Sequence, residues 1–309
     1  MSKNLLHAAL VGVVMTSGPA QSADLERADP ASVGMSAAAL ANLKTKMNEL
    51  VTSGDRAGLV YAVARDGKTV ALEAIGLRSI ENQLPMETDT QFRIYSMTRA
   101  ISATAALSLL DDGALALEDN VERYIPEIGT MKVIDRSGET ISTVDQASPM
   151  TVRHLFTYTA GLGYAPNWPA PYTFDQKTVL NPDVTIAEGV ANLAKFPLLY
   201  QPGAKWHYGF SGDVLGRVAE VASGQPLDQL IKARVLDKIG MTGTGFWISP
   251  DDVKRNRLAD VYARKEENGP LVNGNSNVPP LSHFTRPGKL FSGGGGLVST
   301  VPDYLRFAQ

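Results

Sequence analysis

The chain has 309 residues, 44 % of them apolar and 20 % charged, and its 29 basic and 32 acidic side chains leave a net charge of −3. That composition suits a folded chain of about two domains' length, excludes collagen-like, low-complexity and repeat architectures, and offers no field that would draw in nucleic acid or an anionic membrane. Cysteine is absent and the four histidines His7, His154, His207 and His283 stand far apart, so disulfides, thiolate metal sites and a cysteine nucleophile are excluded and no metal or other cofactor is expected.

Residues 1–23 read as a signal peptide. Lys3 precedes the apolar stretch from Leu5 to Met15, and the small residues Ser17, Gly18, Ala20, Ser22 and Ala23 follow. The apolar run is too short to span a bilayer, so a periplasmic or secreted protein with no membrane span is expected.

Residues 24–90 read as a helix followed by a β-hairpin. Ser36 stands before Leu40, Leu43, Met47 and Leu50, the spacing of an N-capped amphipathic helix that covers a sheet. Gly58 to Ala64 and Thr69 to Ile75 are apolar runs on either side of Asp66-Gly67, which predicts an antiparallel pair with both strands largely buried.

Residues 91–290 have the texture of a helical region. From Ser96 to Leu110 the chain is apolar or small on nearly every side, with Gly113 just beyond. Such a helix is expected to be buried all round. Ser96 and Arg99 sit one turn apart at its opening. Spacing leaves two readings of them open: a cap with a solvated arginine, or a serine nucleophile at a helix N-terminus where free N–H groups face a developing oxyanion.

Five stretches carry a resemblance. Phe92-Arg93-Ile94-Tyr95-Ser96-Met97-Thr98-Arg99 resembles the S-x-x-K segment of serine β-lactamases and penicillin-binding proteins. Gly113 to Val121, closed by Tyr124-Ile125-Pro126, resembles the segment that follows the nucleophile helix of that family. Met150 to Leu162 is similar to its "TVRHLLTHTSGL" stretch, and Pro202 to Tyr208, leading to Asp213-Val214-Leu215-Gly216, to the region of its catalytic tyrosine. Gly293 to Thr300 with Asp303-Tyr304-Leu305 resembles its glycine-rich turn into a helix. The family is that of class C β-lactamase-like serine hydrolases, which includes esterases and D-amino-acid peptidases.

The resemblance implies an α/β (α+β) fold of the β-lactamase/transpeptidase type, an antiparallel sheet flanked by helices plus a large helical region. It makes Ser96 the acylated nucleophile and Tyr208 the base beside it. An alcohol is inert at neutral pH until something takes its proton as it attacks. The family uses a lysine for part of that task, whereas here Arg99 occupies the position, and a guanidinium does not accept a proton under working conditions. Two readings follow: Arg99 supplies charge while Tyr208 alone deprotonates Ser96, or catalysis is impaired and a non-catalytic acyl-pocket binding remnant is left.

Where β-lactamases of this class carry Asn two residues past the tyrosine, Phe210 offers no hydrogen bond to a lactam amide, so an ester or small amide is the expected substrate. Tyr164 and Trp168, in a loop rich in proline, are expected to line the substrate mouth. His154 is read as structural and His207 as pointing away from its neighbour Tyr208. Residues 291–309 read as a glycine-rich turn and the start of a helix. The family's third motif, K-T-G or H-x-G-like, would follow on a further strand, so a truncated member with an incomplete sheet, exposed strand edges and poor solubility is expected.

Overall fold

The structure is a computed structural model, and it describes residues 26–267, 269–279 and 281–309. The signal peptide expected at residues 1–23 lies outside the described residues. Among those described, no helix is long and apolar enough to cross a membrane.

Helix α1 spans Ala37–Thr52 and starts where Ser36 Oγ accepts the Ala39 N–H at 3.2 Å. Strands β1 (Gly58–Arg65) and β2 (Lys68–Ser79) pair antiparallel from Gly58 opposite Gly76 to Arg65 opposite Lys68. Asp66 and Gly67 both have positive φ, 53° and 73°, the backbone that a two-residue hairpin turn with the native strand twist requires. A short β3 (Leu84–Pro85) follows β2 in the order β1-β2-β3. Most residues of β1 and β2 are half-buried, not buried. Helix α1 packs on both strands and the helix Val301–Ala308 packs against β1, which covers the pair without enclosing it.

The large core is helical. Helix α2 (Thr98–Asp111) buries Thr98, Ile101, Ser102, Ala105, Ala106 and Leu109, a stripe at three-to-four-residue spacing. It lies along the helix Ser211–Ser223, whose Val214, Leu215, Val218 and Ala219 join the same core. The expectation of burial on every side is corrected: Leu107 on α2 is 46 % exposed and Met97 just before it 48 %. The outer face is carried largely by small residues, so leaving it in water costs little.

Two distant segments tie the nucleophile region to the chain's far end. Strand β4 (Phe92–Arg93) pairs antiparallel with Val298–Ser299, the Ile94 N–H donates to Leu297 O at 3.0 Å, and the Leu297 N–H donates to Thr98 Oγ1 at 3.1 Å. The glycine run before that strand has a packing reason. Asp213 is buried, its Oδ1 accepting from Ser292 Oγ at 2.5 Å and from the Gly294 N–H at 3.2 Å. A Cβ on Gly294 would stand 2.5 Å from Asp213 Oδ2, so only glycine lets the backbone approach this carboxylate.

After α2 the chain is pinned by Asp119, which accepts from the Ala116 N–H at 2.9 Å, Arg123 at 3.1 Å and Tyr124 Oη at 2.6 Å. The Tyr124 bond, with the backbone and Arg123, holds the Asp119 carboxyl below its ordinary range, while burial and then Asp119 push Tyr124 up to about 12. Tyr124→Phe is expected to lower unfolding free energy by about 1–2 kcal/mol at neutral pH, read by urea titration. A carboxyl depressed on folding stabilises above its unfolded pKa and loses that contribution as pH falls through the folded value. The Tyr124→Phe difference should therefore shrink below about pH 4.

Candidate active site

Ser96 stands in a 3-10 turn, Tyr95–Met97, that feeds directly into α2. Tyr95 holds φ at 42°, a left-handed conformation uncommon for a bulky side chain and of the kind concentrated at functional sites. The Met97 N–H donates to Ile94 O, and the Thr98 N–H is taken by carbonyls of the turn itself. These two N–H groups are therefore not free to face an oxyanion.

Tyr208 arrives on an irregular segment clipped to residues 158–163. The His207 N–H donates to Tyr158 O at 2.8 Å and the Phe210 N–H to Gly163 O at 3.3 Å. Between them Gly209 lies so close to the neighbouring chain that a Cβ would fall 2.3 Å from Gly163 C. Glycine there lets the segment press inward and present Tyr208 to α2. Tyr208 Oη donates to Ser96 Oγ at 2.6 Å, although the two residues are 112 positions apart.

Arg99, one turn beyond Ser96, fills the space behind this pair. Its Nη1 donates to Tyr158 Oη and to Gly209 O, the latter at 3.3 Å, and its Nη2 donates to Tyr164 Oη. The guanidinium carbon lies 4.3 Å from the Tyr208 ring centroid, within cation–π range. Tyr158 stacks on Tyr208 with centroids 5.8 Å apart and 13° between planes, and Tyr164 meets Tyr208 edge-on at 5.7 Å. Burial works against the charge on Arg99, but Tyr164, Tyr158 and Asp213 outweigh it and raise its pKa. Tyr158 and Tyr164 are themselves raised, burial first in each case and opposed by Arg99. Two neutral phenols therefore accept hydrogen bonds from one permanent cation.

The structure brings Ser96, Arg99, Tyr208 and Tyr164 together, with Phe210 packed under them, and buries Trp168 against other partners. Phe210 is fully buried and lies edge-on beneath Tyr164 at 5.0 Å, so it supports the cluster from within the core and presents no face to a substrate. Trp168 is 3 % exposed, donates through Nε1 to Pro197 O at 2.7 Å and packs on Phe174. It anchors its loop in the core; the indole is too large and too apolar to leave in water when a buried carbonyl can take its N–H. The wall beside Tyr208 is Trp206 instead, 62 % exposed with its ring 6.4 Å away.

His154 Nδ1 accepts the Thr151 N–H at 3.1 Å, and the His207 ring lies against Tyr200 at 5.3 Å. Among the described residues no three His, Cys, Asp or Glu gather in a way that could hold a metal. Tyr158 is the member of the cluster that sequence reasoning missed. Its signal was the departure from the "TVRHLLTHTSGL" pattern, where tyrosine stands in place of the second histidine.

Comparison with known proteins gives this arrangement a family. The Beta-lactamase family model matches residues 43–309. The chain belongs to the beta-lactamase family. Esterase EstB of Burkholderia gladioli is 32 % identical over 292 residues, covering 90 % of this chain and 71 % of the esterase. Protein Rv1367c of Mycobacterium tuberculosis is 35 % identical over 273 residues, covering 86 % of this chain and 65 % of its own length, so the chain spans just under two thirds of that relative. Among solved structures, EstCE1, described as a hydrolase with promiscuous acyltransferase activity, superposes with a TM-score of 0.71 at 27 % identity over 86 % of this chain and 70 % of that one. These relatives carry the family's β-lactamase/transpeptidase-like fold, here with short antiparallel sheets and a dominant helical region.

Proposed function

We propose that the protein is a serine hydrolase that cleaves ester bonds through an acyl-enzyme on Ser96, with Tyr208 as the base. The observation that carries this is the 2.6 Å contact between Tyr208 Oη and Ser96 Oγ, short enough for direct proton transfer. In the first step the Ser96 Oγ attacks the ester carbonyl while its proton passes to the Tyr208 phenolate, and Tyr208 then gives that proton to the departing alkoxide. Water repeats the sequence on the acyl-enzyme, again through Tyr208, and releases the acid.

Arg99 never accepts a proton in this scheme. Its part is to hold a permanent positive charge behind the base, 4.3 Å from the Tyr208 ring. Tyr208 is 38 % exposed, so a substrate carbonyl can reach the Ser96–Tyr208 pair from solvent.

The naming of EstB as an esterase and of EstCE1 as a hydrolase with acyltransferase activity supports an ester over a lactam. So does the commitment of both terminal Arg99 nitrogens to phenols and a backbone carbonyl, which leaves them unsuited to receive a substrate carboxylate. The apolar wall of Trp206 suits an uncharged acyl or alkoxy group. On the strength of its leader pattern, the protein meets this substrate outside the cytoplasm.

One observation favours a second reading, a pocket that binds acyl compounds without turnover. Arg99 directs its fork at Tyr158 and Tyr164, away from the Tyr208 oxygen. Release of p-nitrophenol from p-nitrophenyl acetate separates the two. The proposal expects turnover that Ser96→Ala reduces to the buffer rate, with a chromogenic cephalosporin cleaved far more slowly. Turnover that survives Ser96→Ala contradicts it, and binding with no release favours the second reading.

A further inference from the structure

A separate cavity of about 490 Å³ opens between the helix Leu227–Ile231, the π-helical turn Lys232–Leu236 that continues it, and the segment from Met241 to Trp247. The volume is that of a small-molecule site. Met241, Phe246, Trp247 and Leu297 give it apolar walls. A π-turn is rare in any helix and recurs at functional sites.

Two of its lining residues carry a buried acceptor oxygen with no hydrogen-bond partner among the described residues: Oε1 of Gln91, a residue only 2 % exposed, and Oδ1 of Asp228. Gln91 spends its amide nitrogen on Gly243 O at 3.1 Å, which fixes the carbonyl oxygen as the unmatched atom. The charges point the same way. Lys232 pairs with Asp237, and Asp252 pairs with Arg257 at 2.7 Å. Asp228 is left as the cavity carboxylate with no ion pair among the described residues, and burial raises its pKa. A buried acceptor without a donor is expensive, so a cavity lined by two such oxygens, one of them on a carboxylate without an ion pair among the described residues, is built for a ligand that only donates.

We propose that this cavity binds a small organic amine, with its ammonium on Asp228 and Gln91 and its apolar body against Phe246 and Trp247. An ammonium has three N–H donors and no acceptor, which matches two unpartnered oxygens; an alcohol offers one. The aromatic walls add cation–π attraction and shed water from the body of the ligand. The site adjoins the nucleophile turn without entering it: Leu297 forms part of its wall, and the Leu297 backbone bonds to Ile94 and Thr98 on either side of Ser96.

Titration calorimetry of the full chain with 2-phenylethylammonium and with its neutral counterpart 2-phenylethanol tests this. Saturable binding of the amine is expected, about ten-fold or more tighter than the alcohol. Asp228→Asn should remove about that factor, and Ser96→Ala should bind the amine as the wild type does. Equal affinity for amine and alcohol, or no saturable binding of the amine, overturns the proposal on the wild-type protein alone, whether or not Asp228→Asn folds. Loss of binding on Ser96→Ala also overturns it, because the amine would then occupy the cleft of the proposed hydrolase.

Discussion

Tyr208→Phe is expected to slow acylation of Ser96 by about 10²–10⁴-fold, the range ascribed to a positioned general base. The phenylalanine keeps the stacking on Tyr158 and the edge contact with Tyr164, so packing and the position of Arg99 are preserved. What disappears is the oxygen that stands 2.6 Å from the nucleophile. Stopped-flow release of p-nitrophenol gives the acylation rate directly. A purely structural role for Tyr208 would leave the variant's rate close to that of the wild type.

Arg99→Met should cost about 10²-fold in the same rate, through loss of the permanent charge beside the Tyr208 ring. Methionine fills much of the same space without the fork. Tyr158 and Tyr164 then lose their donors, yet each is a neutral phenol that can turn its own O–H elsewhere. Arg99→Lys is the sharper comparison. A lysine keeps the charge but presents a single ammonium in place of a planar fork, so it cannot reproduce the bridge from Tyr158 to Tyr164. The account expects Arg99→Lys to fall between wild type and Arg99→Met. Activity well above wild type would mean that the native arginine impairs the site.

Much of the architecture is written in local sequence. The Asp66-Gly67 turn forces its hairpin because both residues must adopt positive φ, and Ser36 announces α1 by capping it; each signal lies within a few residues of its effect. The pairing of Ser96 with Tyr208 is of another kind. It depends on Gly209 seating one segment against Gly163 and on β4 finding Val298–Ser299, contacts over long separations that no local pattern encodes. Family resemblance brought those motifs together where spacing left Ser96 undecided between cap and nucleophile.

The same limit explains the residues that moved. The family position two past the tyrosine places Phe210, and a proline-rich loop places Trp168, near a substrate, but an aromatic side chain is equally at home in a core, and burial is decided by elements elsewhere. Phe210 sits at the start of the helix Ser211–Ser223, which turns it inward, while Trp206 is left facing water. The glycine run at Gly293 to Gly296 reads in sequence as a family mark, and its reason emerges only where Asp213 meets Gly294. Tyr158 joins the site because Arg99 is long and forked enough to reach a second phenol from α2.

The central claim is that the hydroxyl of Ser96 is reactive because Tyr208 takes its proton. Intact-mass analysis after treatment with a fluorophosphonate, followed by peptide mapping, tests it most directly. The account predicts a single adduct on Ser96, absent in Ser96→Ala and formed at least about a hundred-fold more slowly in Tyr208→Phe. A folded protein that takes up no label, carries it on another residue, or labels equally fast without the Tyr208 hydroxyl would contradict it.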